Sequence, residues 1–346
     1  EAVEAAAVAD TAVIFAGLPD LFESEGYDRR HIRMPRSHTV MIEAVTKARK
    51  NTVVVLMNGS PVEMPWLSGA AGVLECYLCG QAVGGAVADI LFGSVNPGGR
   101  LAETFPKRLS DNPSYLNFPG ETDRVEYREG IFVGYRYYEK KAMEPLFPFG
   151  FGLSYTDYEY TSITADSTDI ADGDTLSVKV TVKNTGSVAG AETVQLYVRD
   201  VRSSVIRPEK ELKGFEKVRL EPGEEKTVEF TLDRRAFAYY DDKAGGWAVE
   251  AGEFALLAGG SSVNTPLKAT VTVHSPEQKK TYTRNSTLGE ILANPVGAAI
   301  IGQAASPEML AHLPEFALEL PLRSLHMQNP QLNDEAVEGL LAVLNR

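Results

Sequence analysis

The chain has 346 residues, of which 44% are hydrophobic and 23% charged, and its formal net charge is −13. This length allows two or three domains, and the composition is that of an ordinary globular protein. An acidic chain without a basic stripe is a poor match for nucleic acid, and no apolar run is long enough to span a membrane. The amino terminus lacks a signal-peptide pattern, and the expected location is the cytoplasm.

The first elements along the chain predict a helix followed by a buried strand. Residues 1–10 are alanine-rich and typical of the second half of a helix, so we expect further chain to precede them. The apolar run 12–18 is typical of a buried strand in a parallel sheet. No helix pattern resumes until Ser37, a predicted N-cap, which leaves about eighteen residues attached to the carboxyl end of the strand.

This long loop is the first candidate functional site. It contains Phe-Glu-Ser-Glu-Gly-Tyr-Asp-Arg-Arg at 22–30. Ligands of open α/β sheets bind at the carboxyl ends of strands, and long loops inside compact domains are often functional. A solvated charged loop without a function is an equally good interpretation of these residues alone.

The next segments continue the alternation of strands and helices. Strands are predicted at 52–57, 72–78 and 100–105, and a helix at 84–92 that ends at Gly93. The result is a three-layer α/β sandwich over 1–106, with a mostly parallel and incomplete sheet.

Cys76 and Cys79 are the two cysteines of the chain, and they form a C-x-x-C pair. Such a pair suits redox chemistry or half a zinc site. The five histidines are scattered and the surrounding run is typical of a strand, so we predict buried, reduced and metal-free cysteines. No cofactor or metal is expected.

The second half of the chain changes its pattern twice. Residues 107–160 form an aromatic connector whose tyrosines are predicted to pack two domains together, with stacking on sugar rings as the alternative. From 161 to 274, alternating apolar residues and recurring turns predict a β-sandwich. Residues 275–346 are predicted to form a helical tail with helix starts at Thr287, Ser306 and Asn333.

Eight short motifs occur in order along the chain: Glu-Gly-Tyr-Asp-Arg at 25–29, Met-Pro at 34–35, Asn-Gly-Ser-Pro-Val-Glu at 58–63, Gly-Gln at 80–81, Asn-Pro-Gly-Gly-Arg-Leu-Ala-Glu-Thr-Phe-Pro at 96–106, Gly-Tyr-Arg-Tyr-Tyr at 134–138, Phe-Pro-Phe-Gly-Phe-Gly-Leu-Ser-Tyr-Thr at 147–156 and Glu-Leu-Lys-Gly-Phe at 211–215. This ordered set resembles glycoside hydrolase family 3, the β-glucosidase family. The resemblance covers residues 1 to about 274. It implies the later part of a six-stranded α/β sandwich, followed by a fibronectin type III-like domain.

The resemblance also implies which residues carry the chemistry. The general acid/base of a retaining glycosidase corresponds to Glu25, the glutamate directly before Gly26. Glu23 lies outside this motif and is assigned no catalytic role. Tyr27, Asp28 and Arg29 complete the motif, and we expect Asp28 and Arg29 to hold the loop in place. Gly26 is expected to let the backbone bend.

In this family the nucleophile is an aspartate on a (β/α)8 barrel, and no part of the 346 residues resembles that barrel. We therefore expect half an active site, with a barrel-bearing polypeptide as the partner and a β-glucoside or related glycoside as the substrate. A homo-oligomer is a further expected assembly. The alternative is a non-catalytic structural or carbohydrate-binding chain derived from such an enzyme.

Overall fold

The computed structural model describes residues 1–242, 244–276, 281–304, 312–327 and 333–345. The chain forms two compact units, Glu1–Pro276 and Glu277–Arg346. The fold class predicted from the sequence is confirmed: a parallel sheet with helices precedes a β-sandwich and a short helical tail. The predicted domain boundaries at 106, 160 and 274 stay predictions. No helix in the described ranges is long and apolar enough to cross a bilayer.

A three-stranded parallel sheet opens the first unit. Its strands are β1 (Ala12–Gly17), β2 (Thr52–Met57) and β3 (Gly72–Glu75), in that order across the sheet. The surrounding helices are α1 (Ala2–Val8), α2 (Arg36–Ala48) and α3 (Val83–Leu91), and a 3-10 turn covers Leu67–Gly69. Each residue from Ala12 to Gly17 pairs with one from Thr52 to Met57, so β1 and β2 end at the same edge.

The core of this layer follows from the alternation along β1. Ile14 and Ala16 face the interior, where they pack with Leu56 of β2 and Ile42 of α2. Trp66 is also in this core and is 3% exposed. Burial of such apolar side chains stabilises the layer by roughly 1.5–3 kcal/mol for each large residue.

The other face of β1 is uncovered in this chain. Val13 and Phe15 point away from the core, and Phe15 is 57% exposed. They border an open groove of about 420 Å³ whose other walls include alanines of α1 and the α2 residues Met41 and Val45. A buried parallel strand is normally covered on both faces.

Three local expectations for this layer are wrong. No strand spans 100–105; Phe105 makes only an isolated bridge with Phe147. Strand β3 ends at Glu75 and not at 78, because Tyr77 has a φ of +51° that breaks extended pairing. Helix α2 begins at Arg36 after Pro35, so Ser37 lies inside the first turn and is not the N-cap.

The connector contains a 3-10 turn at Leu109–Asp111 and the helix α4 (Tyr135–Lys140). The Tyr135 ring stacks on Phe149 at 5.1 Å and meets Tyr197 edge-on at 5.8 Å. The Tyr135 hydroxyl accepts a hydrogen bond from the backbone N–H of Leu212 at 2.8 Å. Tyr135 therefore packs against the sandwich, whereas Tyr127 is exposed.

The β-sandwich has two sheets and a hairpin. Its strands are β4 (Tyr158–Ala165), β5 (Asp169–Ala171), β6 (Leu176–Asn184), β7 (Gly190–Asp200), β8 (Glu211–Leu220), β9 (Glu225–Leu232), β10 (Tyr239–Asp241), β11 (Gly246–Ala248), β12 (Gly252–Gly259) and β13 (Leu267–His274). One sheet has the order β5-β13-β12-β7-β8 and the other β4-β6-β9, while β10 and β11 pair with each other. A short helix, α5 (Arg234–Phe237), precedes the hairpin.

The hairpin carries the second tryptophan of the chain. Trp247 in β11 is 42% exposed, and the Arg235 guanidinium lies 3.3 Å from the centre of its ring. Tyr240 of β10 meets the same ring edge-on at 5.3 Å. A cation above an indole face is a favourable contact.

The second unit contains α6 (Leu288–Leu292), α7 (Pro295–Ala304), α8 (Glu315–Leu318), a 3-10 turn at Leu322–Met327 and α9 (Asp334–Leu344). Thr287 and Glu290 form a capping box, and Asn333 caps α9, so both predicted helix starts are confirmed. The predicted start at Ser306 lies outside the described residues. Ile291 and Leu341 belong to the core of this unit.

Candidate active site

The loop between β1 and α2 is held at its base by the segment that follows β2. The two strands are parallel neighbours, so their following loops emerge side by side. The Glu23 carboxylate accepts hydrogen bonds from the backbone N–H of Gly59 at 2.5 Å and from the Ser60 hydroxyl at 2.6 Å. Both carboxylate oxygens of Glu23 are thus engaged.

Arg29 attaches the other end of this loop to the same segment after β2. Its Nη1 donates to the Ser60 hydroxyl at 2.8 Å and to the Pro61 carbonyl at 3.2 Å, and it lies 3.8 Å from Glu23 Oε1. Burial lowers the pKa of the Arg29 guanidinium, and the charge of Glu23 opposes that effect. The ion pair of Arg29 is therefore with Glu23 and not with Asp28.

The tip of the loop, residues 24–28, is a tight turn between these two anchors. Ser24 and Tyr27 form an antiparallel bridge, and the Tyr27 hydroxyl donates to the Asp20 carbonyl. Glu25 and Asp28 are exposed. Within the described parts of the chain, neither carboxylate has a hydrogen-bond or ion-pair partner. Glu25 is thus a free carboxylate on a turn of restricted geometry.

Gly26 lies next to Glu25 without a conformational need for glycine in this chain. Its φ is not in the left-handed region, and an added Cβ would meet nothing within 4 Å. The chain does turn at Glu25 and Gly26, between the bridged residues Ser24 and Tyr27, but with a φ at Gly26 that other residues can also adopt.

The sequence did not lead us to a second carboxyl group, which lies at the edge of the sheet where the strands end. Glu75 ends β3, where it accepts hydrogen bonds from the Tyr77 N–H at 2.9 Å and from Asn58 Nδ2 at 3.3 Å. Burial raises the pKa of Glu75 to about 7, and the charges of Glu103 and Glu23 add to the effect. Its position at the carboxyl end of a strand, the same edge of the sheet from which the first loop emerges, is the signal that could have identified it.

Glu103 completes an acidic edge of the sheet. Burial raises the pKa of its carboxyl group, and the charge of Glu23 acts in the same direction. The described residues contain no group of three or more His, Cys, Asp or Glu side chains arranged to hold a metal ion. Carboxyl groups whose pKa values are raised in this way are suited to proton transfer.

The two cysteines follow this edge directly. Both thiols are free, Cys76 is half-buried and Cys79 is exposed. The expected burial of both is wrong for Cys79, because β3 ends before the pair and the chain turns outward at Tyr77. The Cys79 thiol donates to the Cys76 carbonyl at 2.7 Å, and burial raises the pKa of the Cys76 thiol.

Comparison with known families gives two matches within the chain. Residues 1–155 match the glycosyl hydrolase family 3 C-terminal domain. Residues 192–262 match the fibronectin type III-like domain. The first match contains the loop, β3 and the acidic edge.

Among curated proteins, thermostable beta-glucosidase B of Acetivibrio thermocellus is 54% identical over the whole chain and 47% of its own length. The exo-alpha-(1->6)-L-arabinopyranosidase of Bifidobacterium breve is 43% identical over 94% of the chain and 44% of its length. The chain thus spans about half the length of the curated relatives it matches.

Among solved structures, too, the chain is similar to beta-glucosidases and covers less than half of each. The GH3 beta-glucosidase of Bifidobacterium adolescentis superposes with a TM-score of 0.80 and 45% identity, covering 86% of this chain and 44% of that one. The beta-glucosidase of Kluyveromyces marxianus in complex with glucose superposes with a TM-score of 0.75 and 45% identity, covering 79% and 33%.

Proposed function

The chain belongs to glycoside hydrolase family 3, and on that premise we propose that it supplies the general acid/base, Glu25, of a retaining β-glycosidase. The observation that supports this most directly is the free, exposed Glu25 carboxylate on a turn anchored on both sides at Ser60. An acid/base must reach the glycosidic oxygen of a substrate, and among the residues that the structure describes no hydrogen-bond or ion-pair partner holds the Glu25 carboxylate.

The proposed reaction follows the two-step route of retaining glycosidases. A carboxylate nucleophile on the barrel attacks the anomeric carbon while Glu25 gives its proton to the departing glycosidic oxygen. The resulting carboxylate of Glu25 then takes a proton from water, and that water releases the sugar from the nucleophile. Glu25 ends the cycle protonated, as it began.

Glu23 is the competing carboxylate two residues away. Both of its oxygens accept hydrogen bonds from the segment after β2, and Arg29 lies beside it. These contacts occupy both oxygens, which suits Glu23 for anchoring the loop rather than for reaching a substrate. We therefore assign Glu23 an anchoring role.

The barrel segment that carries the nucleophile is the proposed partner. Val13, Phe15 and the groove beside α1 form an apolar face that a folded protein would cover. Obligate contacts of this kind bury more than about 2,000 Å². Produced alone, the chain is expected to be insoluble or inert, and co-expression with the barrel-bearing segment of a relative should restore hydrolysis of aryl β-glucosides.

The deciding experiment compares two glutamates in the reconstituted enzyme. Glu25→Ala should abolish turnover of glycosides with poor leaving groups, while azide should restore turnover of activated aryl glycosides and yield a β-glycosyl azide. Glu216→Ala removes an exposed carboxylate of β8 and serves as the control that stays active. Azide rescue in Glu23→Ala instead would move the assignment two residues, and normal activity in both variants would favour the non-catalytic alternative.

The substrate is proposed to be a β-D-glucoside, and an α-L-arabinopyranoside is the second candidate. A relative named a beta-glucosidase and another named an exo-alpha-(1->6)-L-arabinopyranosidase each match almost all of the chain, at 54% and 43% identity respectively. The ratio of kcat/KM for the 4-nitrophenyl derivatives of the two sugars would decide between them. A cytoplasmic location remains a prediction from the sequence.

A further inference from the structure

We infer that Ser60 is a positioning residue that fixes the acid/base turn through a single hydroxyl group. This inference rests on the proposed role of Glu25. It concerns a residue outside the loop, on the segment after β2, to which the motif assigns no role.

The argument begins with the two ends of the turn. Glu23 and Arg29 flank residues 24–28, and each makes a hydrogen bond to the same oxygen atom. Ser60 Oγ donates to Glu23 Oε1 at 2.6 Å and accepts from Arg29 Nη1 at 2.8 Å. A hydroxyl group has one proton to give and lone pairs to accept, so both bonds are satisfied together.

The Ser60 hydroxyl is hydrogen-bonded to both ends of the turn, Glu23 and Arg29, and each of the other hydrogen bonds holds only one of them. Without it, Glu23 keeps its bond from the Gly59 N–H and Arg29 keeps its bond to the Pro61 carbonyl. The two ends of the turn would then be linked to each other only by the ion pair of Arg29 with Glu23, whose 3.8 Å separation is too long for a hydrogen bond. The tip would remain attached, but the distance between its two ends would be less restricted.

Ser60 is itself held by the interior of the sheet. Asn58 is fully buried, and its Nδ2 donates to the Ser60 carbonyl at 3.0 Å and to Glu75 Oε2 at 3.3 Å. The position of the Ser60 hydroxyl is therefore determined by the ends of β2 and β3, which are rigid elements. A rigid support matters because a catalytic group displaced by only about 1 Å can lower the reaction rate strongly.

The test uses Ser60→Ala in the reconstituted enzyme, with a series of aryl glycosides whose leaving groups differ in pKa. Protonation by Glu25 matters most for poor leaving groups, so kcat/KM should fall about tenfold or more for these substrates and about twofold or less for a dinitrophenyl glycoside. Ser60→Thr retains the hydroxyl group and should recover most of the loss. Ser114→Ala, which removes a part-buried hydroxyl bonded to Asn112, is the matched control and should change neither value.

The outcomes separate this inference from the proposed function. An equal loss on every leaving group, or a lowered melting temperature that accounts for the loss, would overturn the role of Ser60 and leave Glu25 untouched. If Glu25→Ala itself shows no dependence on the leaving group, the proposed function fails first. A loss confined to poor leaving groups in Ser60→Ala, with recovery in Ser60→Thr, supports the inference.

Discussion

Arg100 and Glu192 form a buried ion pair that joins the segment after α3 to strand β7 of the sandwich, 92 residues later in the chain. The other oxygen of Glu192 accepts a hydrogen bond from the Tyr160 hydroxyl at 2.8 Å. This pair thus connects the α/β layer to the sandwich, and its two side chains are only 9% and 4% exposed.

Removing one partner of this pair is expected to be costly. Arg100→Met leaves the Glu192 carboxylate buried and uncompensated, which should destabilise the sandwich by about 3–5 kcal/mol. The double variant Arg100→Met, Glu192→Gln removes the charge and keeps an acceptor for Tyr160, so its urea midpoint should lie above that of the single variant. Equal midpoints for the two variants would show that the charge is not the cause.

A glycine between the two layers gives a second prediction. Gly150 has a φ of +81°, and a Cβ there would lie 2.5 Å from the side-chain amide of the buried Gln195. Gly150→Ala should therefore cost about 2 kcal/mol or more. Gly99 is in open space with an ordinary φ, so Gly99→Ala should change the unfolding free energy by less than about 0.5 kcal/mol. Similar losses for both glycines would contradict this explanation.

Glu75 should make stability depend on pH. Its pKa rises from 4.5 to about 7 on folding, chiefly through burial, so the folded protein binds more protons than the unfolded chain between these values. Its contribution is therefore fully present below pH 4.5 and is lost as the pH rises to 7, by about 3 kcal/mol in total. Glu75→Gln should reduce the difference in melting temperature between pH 5 and pH 8.

The control for this prediction is Glu216→Gln, which changes an exposed carboxylate of β8. In this variant the difference in melting temperature between pH 5 and pH 8 should be the same as in the parent protein. If Glu75→Gln behaves in the same way as this control, another group, such as Glu103, carries the pH dependence.

The two thiols should differ in reactivity. Cys79 is exposed, whereas burial and the neighbouring thiol raise the pKa of Cys76. Because the thiolate is the reactive form, iodoacetamide at pH 8 should modify Cys79 first in the native protein and both cysteines in urea. Peptide mass spectrometry gives the sites, and Cys79→Ser should abolish the fast reaction. Equal labelling of both thiols in the native protein would mean that Cys76 is not protected.

Much of this fold could be predicted from local patterns, because apolar residues recur along helices and strands with the period of each element. The strand Thr52–Met57 and the alternation at Leu176, Val178, Val180 and Val182 appear in the structure as expected. A strand at 100–105 was expected from composition, but strand structure requires a partner. Phe105 finds only Phe147 in an irregular segment, which a local pattern cannot reveal.

The chemistry at the edge of the sheet could be predicted only in part. A long charged loop after a buried strand indicates a site, and a motif selects Glu25 within it. The shared hydroxyl of Ser60 and the burial of Glu75 depend on contacts between segments far apart in the chain. Such contacts leave no periodic signal in the sequence.

The two tryptophans of the chain lie in different layers and in opposite surroundings, which makes each layer optically distinct. Trp66 is enclosed in the α/β core and should emit at short wavelength, with little quenching by acrylamide. Trp247 lies beneath a guanidinium group on an exposed hairpin, so its emission should be red-shifted and readily quenched. With one of the two replaced by phenylalanine, fluorescence would report the melting of one layer while the other remained silent.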